Sequence, residues 1–146
     1  MQLADLKARA EHERPELPVG QVVDALVDGY RGVGTVYVPA EIAEASKVSD
    51  LALVLKTLDL LSKRPYSVLE SHWVFFDESN NIYELEDDAV AETFTTSIFY
   101  HPVTGDIVPE YKDSLRLLYE ATQDLQGALS SSEKKRPRFL LTGAPL

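Results

Sequence analysis

The chain has no cysteine, which excludes disulfides, thiolate nucleophiles and zinc sites built on sulfur. It has no apolar run near the ~18 residues of a membrane span. Asp5 falls where a secretory signal would continue its apolar segment. Those absences set the expectation of a cytoplasmic protein with no membrane partner. The three histidines, His12, His72 and His101, are scattered and form no metal-ligating pair of the HExxH kind. No serine sits in a GxSxG elbow. No cofactor and no metal are therefore expected. The last absence is of one sign of charge: from Tyr66 to Tyr111 there is neither lysine nor arginine.

The same stretch holds Glu70, Asp77, Glu78, Glu84, Glu86, Asp87, Asp88, Glu92, Asp106 and Glu110. Residues 1–65 carry ten acids and eight bases, and residues 112–146 carry four and six, so the middle supplies the whole formal charge of −10. Natural surfaces usually mix the two signs, because a one-sign patch repels itself. Such a charge disfavours direct binding of nucleic acid or anionic membrane, whose phosphates it repels. A basic protein is the partner it favours.

With 146 residues, 45% of them hydrophobic and 26% charged, the composition is that of one globular domain able to bury a core. The expected organisation is a single α+β domain over 1–129. A flexible basic tail over 130–146 follows, carrying Lys134, Lys135, Arg136 and Arg138.

Along the chain, residues 2–13 read as a helix with Leu3, Leu6 and Ala10 on one face. Val19, Val22, Val23, Leu26, Val27 and Tyr30 follow the spacing of a second buried stripe, which Gly29, Gly32 and Gly34 end. A short β-prone run, Thr35 to Val38, meets Pro39, suited to the first position of a brief helix. The strongest helix is predicted over about 50–62, with Ser46 or Ser49 as its N-cap. Its leucines, Leu51 to Leu61, make a wide apolar surface that suits a central helix packed on the sheet and on a neighbouring helix or, in an adaptor or chaperone, a homodimer. From Val68 the period changes to that of strands: Val68–Phe76, then Ile82–Glu86 across the polar turn Asp77–Asn81. Thr93–Tyr100 and Asp106–Val108 read as two more strands, and about 112–128 as a closing helix. The fold class is thus α+β, an antiparallel meander of four to five strands packed on helices in two layers.

Local motifs favour structural explanations. Asp77, Ser79 and Asn81 have the first spacings of a calcium loop, but Ile82 stands where that loop needs glycine and Asp88 where it needs a bidentate glutamate. A hairpin turn accounts for them. Gly29, Gly32 and Gly34 resemble a phosphate loop in composition, yet a helix precedes and a strand follows, the reverse of the required order.

The functional expectation therefore rests on charge. The reading is a noncatalytic acidic inhibitor, of the immunity or antitoxin kind, whose carboxylates occlude a basic partner such as a toxin nuclease. Its docking residues are Asp77, Glu78, Tyr83, Glu84, Glu86, Asp87, Asp88 and Glu92, with Tyr83, Phe99 and Tyr111 as exposed aromatic anchors. Two alternatives stand beside it: a dimeric acidic adaptor or secretion chaperone, and a small pocket enzyme using His72 or His101.

Overall fold

The computed structural model of this chain describes residues 1–135, with side chains through Ser130; the greater part of the expected basic tail, 136–146, lies outside the described residues. Among the described residues it has six α-helices and a four-stranded antiparallel sheet, the expected α+β class. The elements are α1 (Leu3–Glu13), α2 (Val19–Gly29), β1 (Val36–Tyr37), α3 (Pro39–Ser46), α4 (Leu51–Ser62), β2 (Leu69–Phe76), β3 (Ile82–Leu85), α5 (Asp87–Thr96), β4 (Leu115–Ala121) and α6 (Gln123–Lys135). Strand order is β1-β4-β2-β3, so the last strand in sequence lies inside the sheet. The described residues divide into two compact units, Met1–Ser71 with those from Tyr119 on, and His72–Leu118.

The first unit is helical. Helix α2 packs on α1, α3 and α4, and α1 also meets α6. The predicted stripe is the one that faces inward, with Val19, Val22, Val23 and Leu26 all buried. Pro39 opens α3 at its first turn, where its missing N–H costs nothing. In α4, Val54, Leu58, Leu60 and Leu61 are buried, so most of the leucine surface is consumed within the unit and Leu51 remains exposed. Each buried leucine contributes roughly 1.5–3 kcal/mol. Two tyrosine hydroxyls of this unit find acceptors: Tyr37 donates to the Leu26 carbonyl at 2.8 Å, and Tyr66 to Glu13 Oε1 at 2.6 Å. Burial pushes the Tyr37 phenol up to about 12. Arg31 donates to the carbonyls of Asp28 and Tyr30 at the end of α2. The glycine loop is thus a helix stop, with Gly32 and Gly34 at positive φ.

Three expectations are corrected. The N-cap of α4 is neither Ser46 nor Ser49 but Asp50, whose carboxylate accepts from the Ala52 N–H at 3.0 Å. The segment 93–100, read as a strand from its alternating Phe94, Thr96, Ile98 and Tyr100, is the second half of α5 and the loop after it. Its threonines are held in the helix by back-bonding: Thr93 to Ala89 O, Thr95 to Ala91 O and Thr96 to Glu92 O. Val90 and Thr93 are the residues it buries. The segment 112–128, read as one helix, is β4 followed by the first turns of α6. Leu115, Tyr119 and Ala121 are buried at strand spacing, and pairing with Val36 and Tyr37 of β1 fixes the register. The sheet is therefore not a meander.

The second unit has its own core. Phe75, Phe99, Tyr111 and Leu115 are buried together, with Trp73, Tyr83, Leu85 and Val108 packed against them. Phe75 meets Phe99 at 4.9 Å between ring centres, a spacing worth about 0.5–1.5 kcal/mol beyond area burial.

Asp50→Ala is expected to lower the unfolding free energy by about 1 kcal/mol through loss of the α4 cap. Ser49→Ala should change it by less than about 0.5 kcal/mol. Urea unfolding followed by far-UV circular dichroism checks both.

Candidate functional site

The charge is concentrated in one unit. From His72 to Leu118 the chain has ten acids and two bases, Lys112 and Arg116, a formal −8 of the total −10. The described lysines and arginines that form ion pairs all belong to the first unit: Lys7 with Asp24, Arg14 with Glu16, and Lys63 with Asp59. In the second unit the carboxylates that pair do so with histidines.

The expected docking residues occupy three places. The turn between β2 and β3 holds Asp77 and Glu78, and β3 holds Tyr83 and Glu84. Helix α5 begins with Glu86 as N-cap and Asp87 and Asp88 in its first turn; Glu92 is one turn further. Carboxylates there offset the positive end of the helix dipole. Glu78, Glu84, Glu86, Asp87, Asp88 and Glu92 are all exposed. Glu84 Oε1 lies 2.7 Å from His72 Nδ1.

Asp77 differs from the rest. Its Oδ1 accepts from the backbone N–H of Ser79 and of Asn81, at 2.9 and 2.8 Å. Its Oδ2 accepts from the Tyr83 hydroxyl at 3.2 Å and takes a long contact of 3.5 Å from His101 Nε2. Burial alone would raise this carboxyl, but the hydrogen bonds from Asn81, His101 and Tyr83 outweigh it and hold the group below its usual range. The residues that carried the calcium spacing are thus a self-bonded turn, with Asn80 in the left-handed region at φ 64.

His101 uses both ring nitrogens on the protein itself. Nδ1 accepts from the backbone N–H of Val103 and Thr104, at 3.1 and 3.2 Å. The ring proton is thereby assigned to Nε2, which faces Asp77. The ring stands edge-on to Phe75 and Tyr83, at 5.4 and 5.1 Å. Beside it opens a cleft of about 540 Å³ whose lining includes Asp77, Tyr83, His101 and Asp106.

Two of the three expected aromatic anchors are not on the surface. Phe99 and Tyr111 are buried in the core of this unit, because the run that carries Phe99 turns inward after α5 instead of continuing as a strand. Tyr83 is half-buried, stacked on Phe75 and tied to Asp77. The large apolar side chains exposed in this unit are others: Ile82, Phe94, Ile98, Tyr100, Val103 and Ile107, with Phe94 54% and Tyr100 56% exposed. Tyr100 and Ile107 face each other across an isolated antiparallel bridge. No local signal in the sequence marked them, since residues 94–107 are no richer in apolar side chains than the chain as a whole.

No protein-family model matches the chain, and no curated protein or solved structure gives a match. No helix among the described residues is long and apolar enough to cross a membrane.

Trp73 is the only tryptophan and lies in the second unit, so its emission reports that unit's unfolding. A carboxyl lowered on folding contributes stability in full above its unfolded value, near 4, and loses it as pH falls through the lower folded value. Asp77→Asn should therefore be less stable than wild type at about pH 6, with the gap narrowing toward about pH 3. Urea unfolding followed by Trp73 emission at the two pH values measures this; a constant gap would refute it.

Proposed function

We infer that this protein is a noncatalytic acidic binding protein that docks a cationic protein surface through its second unit. The observation that carries this reading is the segregation of charge: a formal −8 between His72 and Leu118, with ion-paired lysines and arginines confined to the first unit. Exposed carboxylates that pair with no lysine or arginine among the described residues keep their field, and such a field accelerates encounter with a basic partner and selects against acidic ones. Glu78, Glu84, Glu86, Asp87, Asp88 and Glu92 supply it; Asp77 shapes the turn that presents Glu78. The apolar anchors are Phe94, Tyr100 and Ile107, exposed in the same unit.

Within this class the reading is an inhibitor of the immunity or antitoxin kind. A protein that binds phosphates must expose fixed positive charge, and an array of carboxylates competes for it by occlusion. A nuclease is the target such a surface fits best. The engagement of both His101 ring nitrogens supports binding over catalysis at the neighbouring cleft.

The test is retention of a partner from the source cells by wild type and by the double variant Glu78→Lys, Glu92→Lys, two exposed positions outside the Asp77 network. Wild type should hold a basic protein at about 0.05 M salt and release it by about 0.5 M. The double variant should lose at least about tenfold in affinity, equivalent to roughly 1.4 kcal/mol. An inhibitor should also suppress the retained protein's activity on nucleic acid. Equal retention by both proteins at low salt would overturn the reading.

A further inference from the structure

The sheet ends on β3, with β2 on one side and no strand on the other among the described residues. Its bonding direction follows from its neighbours. Asp77 N–H donates to the Asn81 carbonyl, which makes 77 and 81 a hydrogen-bonded antiparallel pair. The register Phe76↔Ile82, Phe75↔Tyr83, Val74↔Glu84 then alternates. Tyr83 bonds inward to β2, while Ile82 and Glu84 point their N–H and C=O outward. The opposite side of β2 agrees, since Phe76 N–H donates away from β3, to Ser114 O. The side chains of Ile82 and Glu84 share the exposed face, and those of Tyr83 and Leu85 are half-buried.

We propose that the outer edge of β3 takes an extended cationic segment of the partner by antiparallel strand addition. The proposal rests on the reading of the second unit as a docking surface for a basic protein, and it names the mode of contact. In an antiparallel hydrogen-bonded pair the two side chains fall on the same face. A residue bonded to Glu84 therefore places its side chain beside the Glu84 carboxylate, where a lysine or arginine is favoured. Its neighbours in the added strand fall beside Tyr83 and Leu85, where a β-branched residue fits. The occupant is thus a strand alternating basic with apolar residues. A second copy of this chain is disfavoured at the same edge, because it would bring a second formal −8 and its own Glu84 against the first.

The probe is a capped heptapeptide, Lys-Val-Lys-Val-Lys-Val-Lys, titrated into the full chain by calorimetry. Two isomers of equal charge are compared, one N-methylated on its two internal lysines and one on two of its three valines. The lysine amides are those that bond to β3, so methylating them should weaken binding at least tenfold, while methylating the valines should leave it within about twofold. On the protein side, Ile82→Pro removes one outward N–H without altering charge and should also weaken the parent peptide at least tenfold. Its folding is read from Trp73 emission. Equal affinity of the two methylated isomers overturns strand addition and leaves charge-driven docking standing. No saturable binding of the parent peptide at low salt also overturns it. The reading of the unit as a partner surface then stands or falls on retention of a basic protein by wild type against the charge-reversed variant.

Discussion

Like-charge repulsion is the constraint that the second unit must satisfy. Ten carboxylates and two bases lie between His72 and Leu118. Two acids at 4 Å repel by about 1 kcal/mol even in water, so cohesion has to come from elsewhere. The aromatic cluster of Phe75, Phe99, Tyr111 and Leu115 supplies it, with Trp73 and Tyr83 at its margin. Several acids are then set against partial positive charge. Asp77 gathers two backbone N–H groups, a phenol and an imidazole N–H, and Asp87 and Asp88 sit on the exposed amides that open α5. What is left over faces water, and under the proposed function that remainder is the field a partner would meet.

The first unit obeys more ordinary rules, and it was correspondingly legible in the sequence. The α2 stripe and the α4 leucines are long, strongly periodic segments with clear stops at Gly29 and Pro65, and both lie where the period places them. The β2–β3 hairpin was also legible, because a polar turn separates two runs of β-formers. Misreadings came where two periods fitted the same residues. Leu115, Leu118, Tyr119, Thr122 and Leu125 satisfy a helix, while Leu115, Leu117, Tyr119 and Ala121 satisfy a strand; pairing with β1 decides it, and no local property of the segment does. Thr93 to Tyr100 has β-branched residues in alternation, yet threonine can remain in a helix by bonding its hydroxyl to the preceding turn.

The candidate surface was legible in its charge and illegible in its anchors. Charge excess is a property of composition and survives any fold, so the acids could be named from sequence. Exposure of an aromatic depends on how its segment turns. Phe99 was read as an exposed anchor on a strand over 93–100; the helix and its left-handed stop at Ser97 bury it and leave Phe94 exposed. The Asp77–His101 contact spans 24 residues of sequence and had no local signature.

That contact also bears on what the unit can do. A general base needs a nitrogen lone pair aimed at a substrate. In His101 that lone pair is aimed at the Val103 and Thr104 amides, and the opposite N–H is aimed at Asp77. Chemistry at this imidazole would require the 101–105 turn to open, with loss of the hydrogen bonds that shape it. The exposed carboxylates and the outward N–H and C=O of Ile82 and Glu84 need no such opening to be reached from solvent. Titratable groups committed to their own architecture, beside groups that are not, support the proposal that the unit holds a partner. Turning one over would first require that architecture to be undone.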